Sequence, residues 1–503
     1  MVRRACFAGD GSFAGGRGDR CVRGTCGHIW FVFVYSCDAE GSTRGRERHS
    51  IISDIFERNA VPAALSPTAP ATQLPAPSGV NTDPRLGQIA AKLQRGQRLS
   101  LDDGQVLYTT PDIWGVCELA DSVRRRLHGG VAYYNINRHL NYSNVCALSC
   151  KFCEFYRKKD DADAYTRDAE YVKAEVARAV EAGATEMHSV GGLHPYLPFS
   201  YYTDLVRTIR QESARLGGEL HVKAFTAVEV VHLAKIAKVY RQDDRAAGIR
   251  WVLERLKEAG LGSLPGGGAE VFDDRVHDEA YKGKIRSDVW LDVHRVAHQL
   301  GLNTNATILY GHIEQRRERL VHMDMLRTAQ DEALVRLGYR ADPQGAVTLT
   351  APGARPPTPS MNAAGGYFQT IIPLPFFPDG SELEHLPGPA GLENLRTLAV
   401  ARLMLDNFPH VKAFWIMQTL AMAQLMLQCG ADDIDGTVVW YDITHVGGAS
   451  THQEVNAAAL RRAVRQAGFE PVERDTLYRR VERQGQRWRL ADEPAEAHRA
   501  AQG

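Results

Sequence analysis

Beyond residue 85 the chain alternates short apolar runs with segments whose apolar residues recur at helical spacing. Val131 to Asn137 reads as a strand. Asp168 then stands where an N-cap belongs, ahead of Val172, Val176 and Val180 at four-residue intervals. Glu186 to Gly192 and His221 to Thr226 read as strands, with a helix through Tyr201 to Leu216 between them. Ile249 to Ala259 is a further helix, and Gly262 to Glu270 a strand end opening into a glycine-rich loop. Ser287 is placed to cap Val289 to Leu300, and Asn303 to Tyr310 is the strand after it. The alternation pauses over 338–366, where five prolines and several glycines predict an insertion or surface loop rather than core. It resumes with a strand at Phe368 to Phe377, a helix at Leu392 to Asp406, and a strand at Val411 to Met417. A helix from Thr419 to Cys429 and a strand beginning at Asp435 complete it.

Strands that alternate with helices imply parallel βαβ units, and about eight repeats predict an α/β fold, a (β/α)8 barrel of TIM type. In such barrels chemistry collects at the C-terminal ends of the strands, and the polar and glycine-rich runs above fall at those ends. The barrel is expected over 86–490, with 491–503 a flexible tail. Residues 1–85 differ in kind, being rich in Gly, Arg, Ser, Pro and Ala, and are expected to be a disordered extension outside the fold. Cys6, Cys21, Cys26 and Cys37 lie in it, as does a short apolar run, Ile29 to Tyr35, without the features of a signal peptide.

Composition narrows the partners. Lys plus Arg and Asp plus Glu are both 60 in 503 residues, so no global field recommends nucleic acid or an anionic membrane. No apolar run approaches the ~20 residues that span a bilayer. A small-molecule enzyme is the expectation.

The chemistry is carried by Cys146, Cys150 and Cys153, a CxxxCxxC spacing on what reads as one loop. Three thiolates so close converge on a soft metal centre, and an iron–sulfur cluster is the usual occupant. A zinc ribbon needs a second ligand pair nearby, and the next cysteine is Cys429. Disulfide frameworks belong to small secreted chains. Three cysteines on a [4Fe–4S] cluster leave one iron open to an outside ligand, which makes a catalyst of an electron carrier. An oxygen-sensitive cluster also argues for the reducing cytoplasm.

CxxxCxFC after the first barrel strand resembles the radical SAM superfamily, where the open iron is chelated by S-adenosylmethionine. The likeness extends to Tyr134-Asn-Ile-Asn-Arg-His-Leu-Asn, His188-Ser-Val-Gly-Gly-Leu-His-Pro, Lys223-Ala-Phe-Thr-Ala-Val-Glu, Leu264-Pro-Gly-Gly-Gly-Ala-Glu, Leu309-Tyr-Gly-His-Ile-Glu, His385-Leu-Pro-Gly and Val411-Lys-Ala-Phe-Trp. Together these resemble the aminodeoxyfutalosine synthase family of menaquinone biosynthesis, over about 85 to 480. Dehypoxanthine futalosine cyclase and the radical SAM half of deazaflavin synthase share part of the pattern and stay as alternatives, as does a non-catalytic iron–sulfur or zinc protein on a barrel scaffold. The resemblance implies addition of the 5′-deoxyadenosyl radical to 3-[(1-carboxyvinyl)oxy]benzoate, giving 6-amino-6-deoxyfutalosine, methionine and bicarbonate. It also implies an electron donor such as flavodoxin or ferredoxin.

By the same resemblance Cys146, Cys150 and Cys153 ligate the cluster, and Phe152 lies beside the adenine. Gly191 and Gly192 leave backbone groups for the S-adenosylmethionine amino group, and Glu270 meets its ribose hydroxyls. The substrate's two carboxylates call for cationic or donor groups, for which Lys223, His194 and Arg138 are candidates. His312, Glu314 and His445 are candidates for proton transfer or orientation.

Overall fold

The computed structural model describes residues 83–357, 365–437 and 454–491. The tail over 1–85, with its four cysteines, lies outside the described residues except for 83–85, as do 492–503 and His445. The strands are β1 (Val131–Asn135), β2 (Asn137–Asn141), β3 (Glu186–Val190), β4 (His221–Ala224), β5 (Ser263–Leu264), β6 (Asn303–Tyr310), β7 (Phe368–Pro375), β8 (His410–Val411), β9 (Asp433–Gly436), β10 (Glu470–Glu473), β11 (Val481–Gln484) and β12 (Arg487–Leu490). β2 to β8 form one seven-stranded sheet in sequence order, every pairing parallel.

An eighth position is supplied by β9, which bridges to the end of β8 through Lys412 and Asp433 and pairs in parallel with β1. β10 pairs with the other edge of β1. The strand expected over Val131 to Asn137 is β1 plus the first residue of β2, which runs on to Asn141 as a strand of its own. The chain changes partners at Ile136, so β1 closes the barrel beside β9 while β2 begins the main sheet. Sequence periodicity does not show such a change, because the apolar run ends with β1 and the Asn-Arg-His-Leu-Asn of β2 carries a single apolar residue.

Helices Ala169–Glu181, Phe199–Arg215, Ala227–Ile236, Arg245–Ala259, Ser287–Gln299, Arg316–Arg336 and Gly391–Met404 connect the strands and bury their apolar faces. Asp168 caps the first of these, accepting a hydrogen bond from the Tyr171 amide. The helix expected at Val289 begins at Ser287 itself, and the cap position falls to Arg286, which makes no side-chain cap. β6 is buried along all eight residues, as a parallel strand covered on both faces must be. Three helices, Pro84–Gln94, Leu101–Thr109 and Ile113–His128, precede the barrel; the second starts with a Ser100–Asp103 capping box.

The described part of the 338–366 segment is more deeply packed than its prolines suggest. Val347 and Leu349 are buried against Leu334. Arg98 ties the segment down, bonding Asp331, Asp406 and the Val347 carbonyl. Among the described residues, no helix is long and apolar enough to cross a membrane.

Candidate active site

A cavity of about 290 Å³ opens at the C-terminal ends of the barrel strands and reaches down between them. Cys146, Cys150 and Cys153 line its upper wall, on the loop that follows β2. The loop is held by backbone pairing, Cys146 N–H to the Arg157 carbonyl and Ala147 N–H to the Leu193 carbonyl. The amides of Leu148 and Leu193 both donate to the Cys146 sulfur at 3.4 Å. Such N–H···S bonds are how proteins orient and tune cluster thiolates. Burial pushes the Cys150 thiol up to about 11, against the pull of the Lys284 charge, and raises Cys153 as well. Thiols in this setting become thiolates when a metal takes the proton's place. The donor set and its amides fit an iron–sulfur cluster.

Gly191 and Gly192 end β3 directly beneath this loop. A Cβ on Gly192 would sit 2.3 Å from the Val145 carbonyl oxygen, and one on Gly191 would strike the Tyr142 ring. Their first service is close approach of two backbones. Neither amide is left over: Gly191 N–H donates to Glu229, and Gly192 N–H to the Ser143 carbonyl.

Glu270 reaches the cavity from the loop after β5, with φ at +47°. Its carboxylate bonds the half-buried Lys284 ammonium at 2.5 Å, and Lys284 Nζ lies 4.8 Å from the centre of the Phe152 ring. Burial works against that ammonium, but the Glu270 charge outweighs it and holds the lysine protonated.

Below the thiols the wall turns apolar, with Val190, Leu309, Ile372, Leu374, Phe376 and Phe414. The floor is polar. Lys223 on β4 pairs with Glu186 on β3 at 2.6 Å, and Lys412 after β8 pairs with Asp435 on β9 at 2.8 Å. Burial alone would push both carboxyls up, yet the lysine charges hold Glu186 well below the usual carboxylate range and lower Asp435 too. His139 and His188 complete the floor.

Of the substrate-contact candidates, Lys223 lines the cavity and four others do not. His194 Nδ1 accepts from the amides of Tyr196 and Leu197, closing a turn. Arg138 is ion-paired to Glu175. Glu314 accepts from the Gly311 and His312 amides and from Arg319, and His312 Nε2 faces the Leu309 carbonyl. His194, His312 and Glu314 build the strand ends without reaching the chamber, and Arg138, next to the cavity-lining His139 on β2, points the other way; place along a strand fixes height in the barrel but not inward direction.

Lys284, Lys412, Asp435, Glu229, His139 and His188 were not singled out as site residues by their positions in sequence. Lys412 had a signal. Val222-Lys-Ala-Phe and Val411-Lys-Ala-Phe are the same four residues on facing strands, each with a lysine inside an apolar run. A lysine there is buried only if paired.

A parallel barrel whose strand-end loop presents three cluster-spaced thiols over a deep chamber defines a radical SAM enzyme, and the chain belongs to the radical SAM superfamily. The superfamily model matches residues 140–326, and the CofH/MqnC C-terminal region matches 364–486. Such an enzyme uses a [4Fe–4S] cluster and S-adenosylmethionine. The chain is 42% identical over 404 residues to aminodeoxyfutalosine synthase of Thermus thermophilus, covering 79% of this chain and 96% of that one. It is 40% identical to the Streptomyces coelicolor protein of the same name, covering 78% and 92%. It is 31% identical to 5-amino-6-(D-ribitylamino)uracil–L-tyrosine 4-hydroxyphenyl transferase of Methanopyrus kandleri, covering 78% and 95%. The fold is that of methylornithine synthase, with a TM-score of 0.55 at 16% identity, covering 76% of this chain and 97% of that one.

Proposed function

We propose that this enzyme joins the 5′-deoxyadenosyl group of S-adenosylmethionine to 3-[(1-carboxyvinyl)oxy]benzoate with consumption of one water, yielding 6-amino-6-deoxyfutalosine, methionine and bicarbonate. The observation that carries the reading is the layering of one chamber: thiols above, an apolar middle, and lysines below. An aromatic acid with a vinyl ether has the matching order of parts. The similarity to two aminodeoxyfutalosine synthases, stronger than to the tyrosine-using transferase, supports the same choice.

Cys146, Cys150 and Cys153 would hold the cluster, which with bound S-adenosylmethionine supplies a carbon-centred radical. Glu270, on the cavity wall with its carboxylate paired to Lys284, would meet the ribose hydroxyls. Phe152, on the same wall, offers a face to the adenine. The apolar side chains of the middle layer exclude water and hold the aryl ring, which is the main protein contribution when a reactive radical must meet one partner. Lys223 and Lys412 offer charge-assisted hydrogen bonds to the aryl carboxylate. A one-electron donor of flavodoxin or ferredoxin type would reduce the centre from outside.

An anaerobic assay tests this. Reconstituted enzyme with dithionite, S-adenosylmethionine and the enolpyruvyl benzoate is expected to give an adenine-bearing adduct by mass spectrometry. Free 5′-deoxyadenosine formed only with dehypoxanthine futalosine, or only with tyrosine and the ribitylaminouracil, would assign the chain to another branch. Cys150→Ala is expected to lose both iron and turnover.

A further inference from the structure

The chamber floor contains two histidines to which the proposed reaction gives no part. His139 on β2 and His188 on β3 are register partners, and Lys223 on β4 is the next residue in the same row. Their ring centroids lie 4.4 Å apart, and both line the cavity. His188 Nε2 is buried with no hydrogen-bond partner. A buried imidazole nitrogen in that state, on the wall of a cavity, is a donor or acceptor kept for something that enters.

The charges around the pair come from every side of the floor. Lys223 and Lys412 act on both imidazoles, as does Asp435, and Glu186 acts on His139. The two lysines are each matched by a carboxylate, so the floor as a whole carries no surplus charge. A carboxylate lowered onto it would leave one negative charge unmatched in a buried place, which is strongly unfavourable. Of the groups present, the imidazoles are those that change charge near neutral pH. Burial keeps both neutral in the free protein, His139 down to about 4 and His188 well below its ordinary value. An opposite charge within about 4–6 Å favours the protonated form of either ring.

We propose that the floor binds an aromatic carboxylate together with one proton, the proton being taken by the His139–His188 pair while Lys223 and Lys412 bond the carboxylate. This deepens the reading above and rests on it in one respect, that the benzoate end of the substrate points down. It also separates substrate classes. A phenol entering the same floor adds no charge and takes up no proton, whereas a benzoate does. Binding of the acid then weakens about tenfold for each pH unit of rise, wherever one proton is taken up per ligand.

Isothermal titration of the cluster-loaded enzyme near neutral pH, in buffers of different protonation enthalpy, tests this directly. The probes are 3-[(1-carboxyvinyl)oxy]benzoate, benzoate itself, and benzamide as the uncharged control. About one proton taken up per acid bound, and none with benzamide, is the expected result. His139→Asn and His188→Asn are each expected to reduce that uptake, and the double variant to abolish it. Lys412→Met is expected to weaken the acids by about tenfold or more and leave benzamide unchanged. Acid binding without proton uptake in the unaltered enzyme overturns the proposal whether or not any variant folds, as does uptake that survives both histidine changes. Proton-coupled binding without the adenine-bearing adduct would remove the reaction and keep the floor. Adduct formation with proton-free binding would do the reverse.

Discussion

Gly192 shows how much of the site depends on the smallest side chain. Its amide bonds the Ser143 carbonyl, and its Cα passes so close to the cluster loop that no Cβ fits beside the Val145 carbonyl. Backbone cannot swing aside as a side chain can, so Gly192→Ala must lift the loop that carries Cys146. Overpacking of this kind costs about 1–3 kcal/mol. We expect the variant to remain folded by circular dichroism and to retain about tenfold less iron and sulfide after reconstitution under limiting iron. Full loading would mean that the loop has slack the structure does not suggest. Glu270 and Asp435 make a related point from the opposite side. Both hold positive φ, +47° and +67°, at cavity-lining positions. That conformation costs about 1–2 kcal/mol for a side chain with a Cβ, and each carboxylate is anchored by a lysine. Neither strain nor anchor can be read from the sequence. The cysteine spacing and the glycine pair can, because those depend on neighbours in the chain.

At the scale of elements, one carboxylate links three of them. Glu229 caps helix Ala227–Ile236 in a box with Thr226. It also accepts from the Tyr142 hydroxyl at 2.7 Å and the Gly191 amide at 3.1 Å. The helix start, the strand end at β3 and the root of the cluster loop thus share one buried group. Thr226→Ala removes the hydroxyl of the cap and is expected to cost about 1 kcal/mol. Glu229→Gln leaves one acceptor oxygen where two stood and turns an amide group toward existing donors. Orphaned buried donors cost about 1–3 kcal/mol each, so this change is expected to cost about 2–4 kcal/mol. Chemical denaturation measures both, and the double variant should fall short of their sum, since Thr226 donates to the group that Glu229→Gln alters. A Glu229→Gln variant no weaker than Thr226→Ala would show that the link to Gly191 carries little. The Thr-x-x-Glu signature predicts the cap from sequence alone. That the same glutamate reaches across to β3 depends on tertiary placement. So does the change of partners at Ile136, after which β2 runs through residues that the apolar pattern does not mark.

For the molecule as a whole, the barrel was legible because its strands and helices alternate with the right periods, and its mouth because the chemistry-bearing motifs fall at strand ends. The inward direction of each side chain was not legible, which is why His194, Arg138, His312 and Glu314 were candidates while Lys412 and Lys284 were not. The same blindness hides how many histidines the fold keeps neutral. Burial holds His128, His221, His294 and His322 down to about 3. Each has an ordinary value near 6.5 when the chain unfolds. The unfolded chain therefore binds protons that the folded chain refuses as pH falls below about 6.5, and stability drops by about 1.4 kcal/mol per pH unit for each such imidazole. Above that pH the histidines are neutral in both states and cost nothing. His294 isolates the effect, since neither ring nitrogen has a hydrogen-bond partner and its ring lies 3.8 Å from that of Trp290 and 5.1 Å from that of Phe368. His294→Phe keeps the ring contacts and removes the titration. Compared with the unaltered enzyme, the variant should change little in stability at pH 8 and gain roughly 3 kcal/mol relative to it by pH 4. Denaturation series at matched pH read this as a difference between two proteins, so acid lability of the cluster cancels to first order. Parallel pH profiles would show that His294 binds its proton in the folded state, and that this part of the core admits water.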